Sequence, residues 1–125
     1  MLIANRIRTP DGTILQSFNR HDYKTHLDKN GEVYMVDGGC EYVRRSVNNV
    51  PAEELSVYAD SPFSIVREAM HWGTRGKDGK QPLTYIPLKD MTTDHIEACL
   101  ATQYQMASCF RRAMENELLY RKSEL

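Results

Sequence analysis

Apolar and polar residues alternate through the first half of the chain, and apolar residues return at helical spacing through its last quarter. Leu2, Ile3 and Ile7 precede Pro10-Asp11-Gly12, and Ile14-Leu15-Gln16-Ser17-Phe18 follows it, which predicts a hairpin. A second hairpin is predicted from residues 21–27 and 33–36, turning at Asp28-Lys29-Asn30-Gly31, where Asn-Gly supplies the positive φ of a tight turn. Gly38-Gly39 ends that strand. Residues 42–47 fit a strand or a short helical turn, Asn48-Asn49-Val50-Pro51 reads as a loop, and Leu55-Ser56-Val57-Tyr58 reads as another strand.

Ser61-Pro62 opens a helix predicted over 61–73, with Ser as N-cap, Pro at the first helical position and Gly73 as C-terminal cap. A basic, glycine-rich loop and a strand occupy 74–91. From Thr92 onward there is no Gly or Pro, and Ile96, Cys99, Leu100, Tyr104, Ala107, Phe110, Met114 and Leu118 form a stripe of helical period, which predicts a long helix over 92–122. Thr92 or Thr93 offers the capping hydroxyl and Asp94 suits the positive end of the helix dipole. About thirty residues at ~1.5 Å each make a rod of roughly 45 Å, whereas a domain of this size has a radius of gyration near ~14 Å. Such a helix either breaks or packs against a partner chain, so a homo-oligomer, at least a dimer, is expected. The predicted class is α+β: a single domain over 1–125, with antiparallel strands first and helices gathered toward the C-terminus.

Charge and cysteine usage narrow the function classes. The formal net charge of −1 lacks the basic face that non-specific nucleic-acid binding needs, so no nucleic-acid partner is expected. No apolar run approaches a membrane span and the N-terminus does not read as a signal peptide, so no membrane partner is expected. Three widely spaced cysteines fit reduced thiols in a cytoplasm rather than a disulfide framework.

The loop from Gly73 to Pro82, with Arg75, Lys77 and Lys80, is a phosphate candidate by composition, yet its spacing is not that of a P-loop and it leads into a strand. A solvated turn is the simpler reading. His21 and His26, near Asp22 and Asp28, stand an odd number of residues apart. A continuous strand puts them on opposite faces, against a shared metal; no metal and no cofactor is expected. No nucleophile-and-base motif is present at sequence level, so no catalytic residue is assigned. Of the arginine pairs Arg44-Arg45 and Arg111-Arg112, the second lies within the long helix beside Phe110. An arginine edging a helical seam can fork onto a phosphate or stack on a base. Trp72, Tyr85, Tyr104 and Tyr120 are candidate stacking rings, and Asp94 and His95 candidate hydrogen-bonding groups for a ribose or base.

The run from Trp72 to Ile96, the ending Glu117-Leu118-Leu119-Tyr120-Arg121, and the earlier His21-Asp22-Tyr23, residues 34–39 and residues 54–58 resemble a group of small bacteriophage proteins. In length and order of elements the chain is most similar to the phage Thoeris anti-defence sponges. That resemblance implies a protein of the host cytoplasm that binds a cyclic ADP-ribose signal in a pocket between protomers and withholds it without cleaving it. It also implies that Arg111 or Arg112 takes the phosphates, Tyr85 the adenine and Thr93 a polar contact. The arginines here are adjacent, where that family carries an i, i+4 pair. Two other classes remain open: an inhibitor acting by protein–protein occlusion, as in anti-restriction or anti-CRISPR factors, and a small nucleotide-cleaving enzyme using His21, His26 or His95.

Overall fold

The computed structural model describes residues 1–123; Glu124 and Leu125, which the single-domain expectation included, lie outside the described residues. The class is α+β, and the chain groups into two compact units, Leu2–Tyr58 and Met1 with the residues from Ala59 onward. No helix among the described residues is long and apolar enough to cross a membrane.

The N-terminal unit is built from the two predicted hairpins. β1 (Leu2–Arg8) pairs antiparallel with β2 (Ile14–Ser17), and β3 (Lys24–Leu27) with β4 (Val33–Asp37). The ambiguous stretch resolves as β5 (Arg44–Arg45), which extends β4, while β6 (Glu53–Glu54) and β7 (Val57–Tyr58) both pair with β1. Alternation does its expected work. Ile7 and Leu15 from one sheet and Tyr34 and Val36 from the other form a buried cluster, with Ala52 against it. Two turns are then stitched together by carboxylates. Asp11 Oδ1 accepts from the Thr9 and Thr13 hydroxyls and the Thr13 N–H, and its Oδ2 meets His26 Nε2 at 2.8 Å. Buried Asp28 accepts from the Asp11 and Asn30 N–H groups.

The C-terminal unit departs from the sequence reading in two places. α1 (Phe63–Ala69) is shorter than expected, with Pro62 itself at the N-cap and Met70 already extended. Gly73 therefore caps nothing. It lies in β8 (His71–Thr74), which pairs with β9 (Thr84–Pro87), so strand pairing claims a segment of weak helix formers. After a single 3-10 turn (Leu88–Asp90), the predicted long helix breaks into α2 (Thr93–Thr102) and α3 (Ser108–Ser123). The break is the first of the two outcomes that the length argument allowed. Thr92 supplies the expected cap, its hydroxyl accepting from the His95 N–H at 3.1 Å.

Val66, Ala69, Met70, Leu88, Met91, Ile96, Cys99, Ala113 and Met114 are the apolar core of this unit, and within it lies Glu117, 0% exposed. Arg67 of α1 holds the Glu117 carboxylate through two bonds of 2.8 Å, and Arg121, one turn along α3, adds a third at 2.8 Å. Burial alone would raise the Glu117 pKa, but the two guanidiniums outweigh it and hold the carboxyl below the ordinary range; Glu117 in turn raises Arg67. Arg67 also lies over the Tyr120 ring, 4.4 Å from its centroid, and Phe63 packs on the same ring. Arg121 reaches further. Its guanidinium bonds the Met91 and Leu88 carbonyls at 2.6 and 3.3 Å and the Thr93 hydroxyl at 3.0 Å.

Candidate functional site

The two mid-helix arginines stand in the first turn and a half of α3 and have different environments. An α-helix leaves its last carbonyls without partners. Arg111 turns back to fill that need for α2, donating to Leu100 O and Gln103 O at 3.0 Å each. Its positive charge also suits the negative end of the α2 dipole. Arg112 is exposed and has no hydrogen-bonded or ionic partner among the described residues. Both arginines line a groove of about 360 Å³ with Ser108, Cys109 and Glu115, closed on its far side by Met1 and Ala59. Ser108, Arg112 and Glu115 are spaced i, i+4, i+7, so one helical face carries them into the groove. The spacing itself was readable within the helix predicted over 92–122; the start of α3 at Ser108 was not. The positive end of the α3 dipole adds to the Arg112 charge here, while Glu115 sets a negative charge beside them.

The other predicted site residues stand elsewhere. Thr93 accepts from Arg121 and lines a separate groove of about 390 Å³ with Glu97, Leu118, Arg121 and Lys122. Asp94 is exposed in the first turn of α2, and the half-buried His95 gives its N–H to the Thr92 cap. Trp72 and Tyr85 belong to the β8–β9 hairpin, where Trp72 faces Ile86 and Gly73 faces Tyr85 across the ladder. The Tyr85 ring covers Gly73 so closely that an added Cβ would meet its Cε1 at 3.0 Å. Trp72 donates to the thiol of Cys99, whose pKa burial pushes up against that bond. The structure thus gathers Arg111 and Arg112 at one groove and leaves Thr93, Asp94 and His95 in the first turn of α2 and Trp72 and Tyr85 in the β8–β9 hairpin.

Among the histidines, His26 lies with Asp11 and Asp28, the ligand atoms all within 4.8 Å of one another. Of the carboxylates that the sequence set near His26, Asp28 is in the cluster, but the one it bonds is Asp11, from the preceding hairpin. Both Asp11 oxygens and both Asp28 oxygens already accept bonds from the turns around them. The cluster is therefore a tie between turns. His26 above all, then the Thr13 hydroxyl, holds the Asp11 carboxyl well below the usual carboxylate range. A carboxylate whose pKa is lowered on folding stabilises the fold above its unfolded pKa, and that stabilisation is lost as pH falls through the lowered value. Asp11→Asn is accordingly expected to lower the unfolding temperature at pH 7, with the gap to wild type closing below about pH 3, beneath the ordinary Asp range. A gap still as wide at about pH 2 as at pH 7 would overturn this assignment.

Set against known protein families, curated proteins and solved structures, the chain matches none of them.

Proposed function

We propose that this chain is a phage anti-defence protein that binds a cyclic ADP-ribose-type signal in the host cytoplasm and sequesters it without cleaving it. The observation that carries the reading is the state of Arg112: an uncommitted guanidinium on the wall of a groove, at the positive end of α3. Sequestration asks only for cations, donors and a surface to close over the ligand, and for no nucleophile or base. Arg112 takes a phosphate, and Arg111 serves by fixing the helix that presents it. Among the described residues no aromatic ring lines this groove. In this reading the adenine is stacked by a ring from a second copy, and the protein acts as a homodimer.

Calorimetry with a panel of cyclic ADP-ribose isomers, followed by heat release and analysis of the ligand, tests the proposal. Arg112→Ala is expected to weaken binding about 10- to 100-fold, the worth of a charge-assisted hydrogen bond of ~1.5–3 kcal/mol, with circular dichroism unchanged. Arg111→Ala is the poorer probe, because it uncaps α2. Absence of binding, release of an altered ligand, or an affinity unchanged in Arg112→Ala would each sink the reading; altered ligand would favour the nucleotide-cleaving alternative.

A further inference from the structure

The N-terminal unit contains a second groove, of about 380 Å³, lined by Arg20, His21, Tyr23, Asp37 and Tyr42. Its walls are the turn after β2 and the loop after β4, and these are held together from beneath. The hydroxyl of buried Ser17 donates to the Asp22 carbonyl at 2.6 Å and accepts from the Gly39 N–H at 2.8 Å, so one side chain ties both walls. Asp22 folds back on the Phe18 N–H at 2.7 Å and pairs with Lys24, while Asn19 takes the His21 N–H at 2.8 Å. On the other wall Gly38 and Gly39 both have positive φ. A Cβ on Gly39 would lie 2.6 Å from the Asn19 carbonyl carbon. Gly39 is what lets the walls approach so closely, while Gly38 gives the Tyr42 carbonyl its room within the loop.

This tied frame displays groups that the fold itself does not use. Tyr23 and Tyr42 are 57% and 56% exposed, and neither side chain has a partner among the described residues. Isolated exposed tyrosines need no explanation. Two on one groove, on loops fixed by buried hydrogen bonds, form a pre-organised aromatic surface of the kind that binds at low entropic cost. Arg20 has only Glu41, at 3.9 Å with both groups exposed, a pairing too weak to occupy it. Among the described residues the mostly buried Asp37 carboxylate meets only Arg44, at 3.6 Å, which leaves it acceptor capacity at the groove that it lines.

We infer that this groove binds a nucleoside monophosphate. The tyrosine faces suit a planar heteroaromatic base, since stacking needs only a π-face. Asp37, acceptor-only when ionised, suits a ring amino group or a sugar hydroxyl. Arg20 suits the phosphate, which its planar fork can meet with two bonds. A purely anionic ligand would be repelled by Asp37 and a purely cationic one by Arg20, so the ligand carries both a donor-rich ring and an anion. The site is separate from the Arg112 groove and stands or falls without it.

The test uses the full chain, amide-detected NMR titration, and AMP, adenosine and ribose 5-phosphate as probes. AMP is expected to shift the amides of residues 19–23 and 37–42, and to bind at least about 10-fold more tightly than either fragment. Tyr42→Ala should weaken AMP binding about 5- to 100-fold, the range of a lost stacking contact. Arg20→Ala should remove the preference for AMP over adenosine, and Arg112→Ala should leave this site's affinity unchanged. Both loop variants alter exposed side chains, so a preserved spectrum outside the groove certifies their fold. No shift at these amides at about 10 mM AMP, weaker than the ~4 kcal/mol of a millimolar site, overturns the inference. So does adenosine binding as tightly as AMP, or an affinity indifferent to Tyr42→Ala.

Discussion

Glu117→Ala is expected to lower the unfolding temperature of the C-terminal unit by more than about 10 °C, the largest effect of any single side chain there. The carboxylate is fully buried and three hydrogen bonds from two guanidiniums converge on it. Deleting one partner of a buried ion pair costs about 3–5 kcal/mol, because the charge left behind has lost both water and its counter-ion. Here two arginines lose their counter-ion at once. The two are not equivalent, however. Arg67 serves Glu117 and the Tyr120 ring, whereas Arg121 also satisfies the carbonyls of Leu88 and Met91, which lie in a buried turn. Arg121→Met is therefore expected to destabilise more than Arg67→Met. Equal losses in a chemical denaturation series, or a Glu117→Ala protein as stable as wild type, would show that the cluster is not the centre of this unit.

The second large effect is expected from Gly38→Ala. At φ +89° a side chain is strained, and a Cβ there would also fall 1.5 Å from the Tyr42 carbonyl oxygen, a backbone atom that cannot rotate away. Backbone strain of ~1–3 kcal/mol and overpacking of a similar ~1–3 kcal/mol together give roughly 2–6 kcal/mol. Gly12→Ala is the internal control. Its φ is +94° but nothing lies within 4 Å of the added carbon, so only the strain remains. Hydrogen exchange of the β3 and β4 amides reads the difference directly. Equal loss of protection in the two variants would mean that the loop after β4 yields to the methyl group.

Much of the architecture was legible in the residues. Both hairpins, their turns, the Thr92 cap and the α+β class follow from alternation, Asn-Gly and Ser/Thr chemistry, because those signals act over a few neighbouring positions. The end of α1 and the break after Thr102 were not legible, because both are set from a distance. Residues 71–74 become a strand only because 84–87 arrive beside them. The gap between α2 and α3 contains no Gly or Pro, and what stabilises it is Arg111, eight residues beyond Gln103. The same distance effect reassigned the site. Arg111 looked like a ligand cation and is a helix cap, while the helical stripe placed Leu118 on the core face and gave no hint of Glu117. The ending Glu117-Leu118-Leu119-Tyr120-Arg121 now has a physical reason: Glu117, Tyr120 and Arg121 are three parts of one buried assembly.

The corner between α2 and α3 gives the C-terminal unit an order of disassembly in acid. An arginine keeps its proton at every accessible pH, and amide carbonyls do not titrate, so the bonds from Arg111 to Leu100 and Gln103 contain nothing for acid to act on. The Arg67–Glu117–Arg121 assembly has a carboxylate at its centre and fails once that carboxylate is protonated. Acidification therefore weakens the tie of α1 to α3 while the α2–α3 elbow keeps its fastening. The elbow is thus a fastening of this unit that a change of pH leaves as it was.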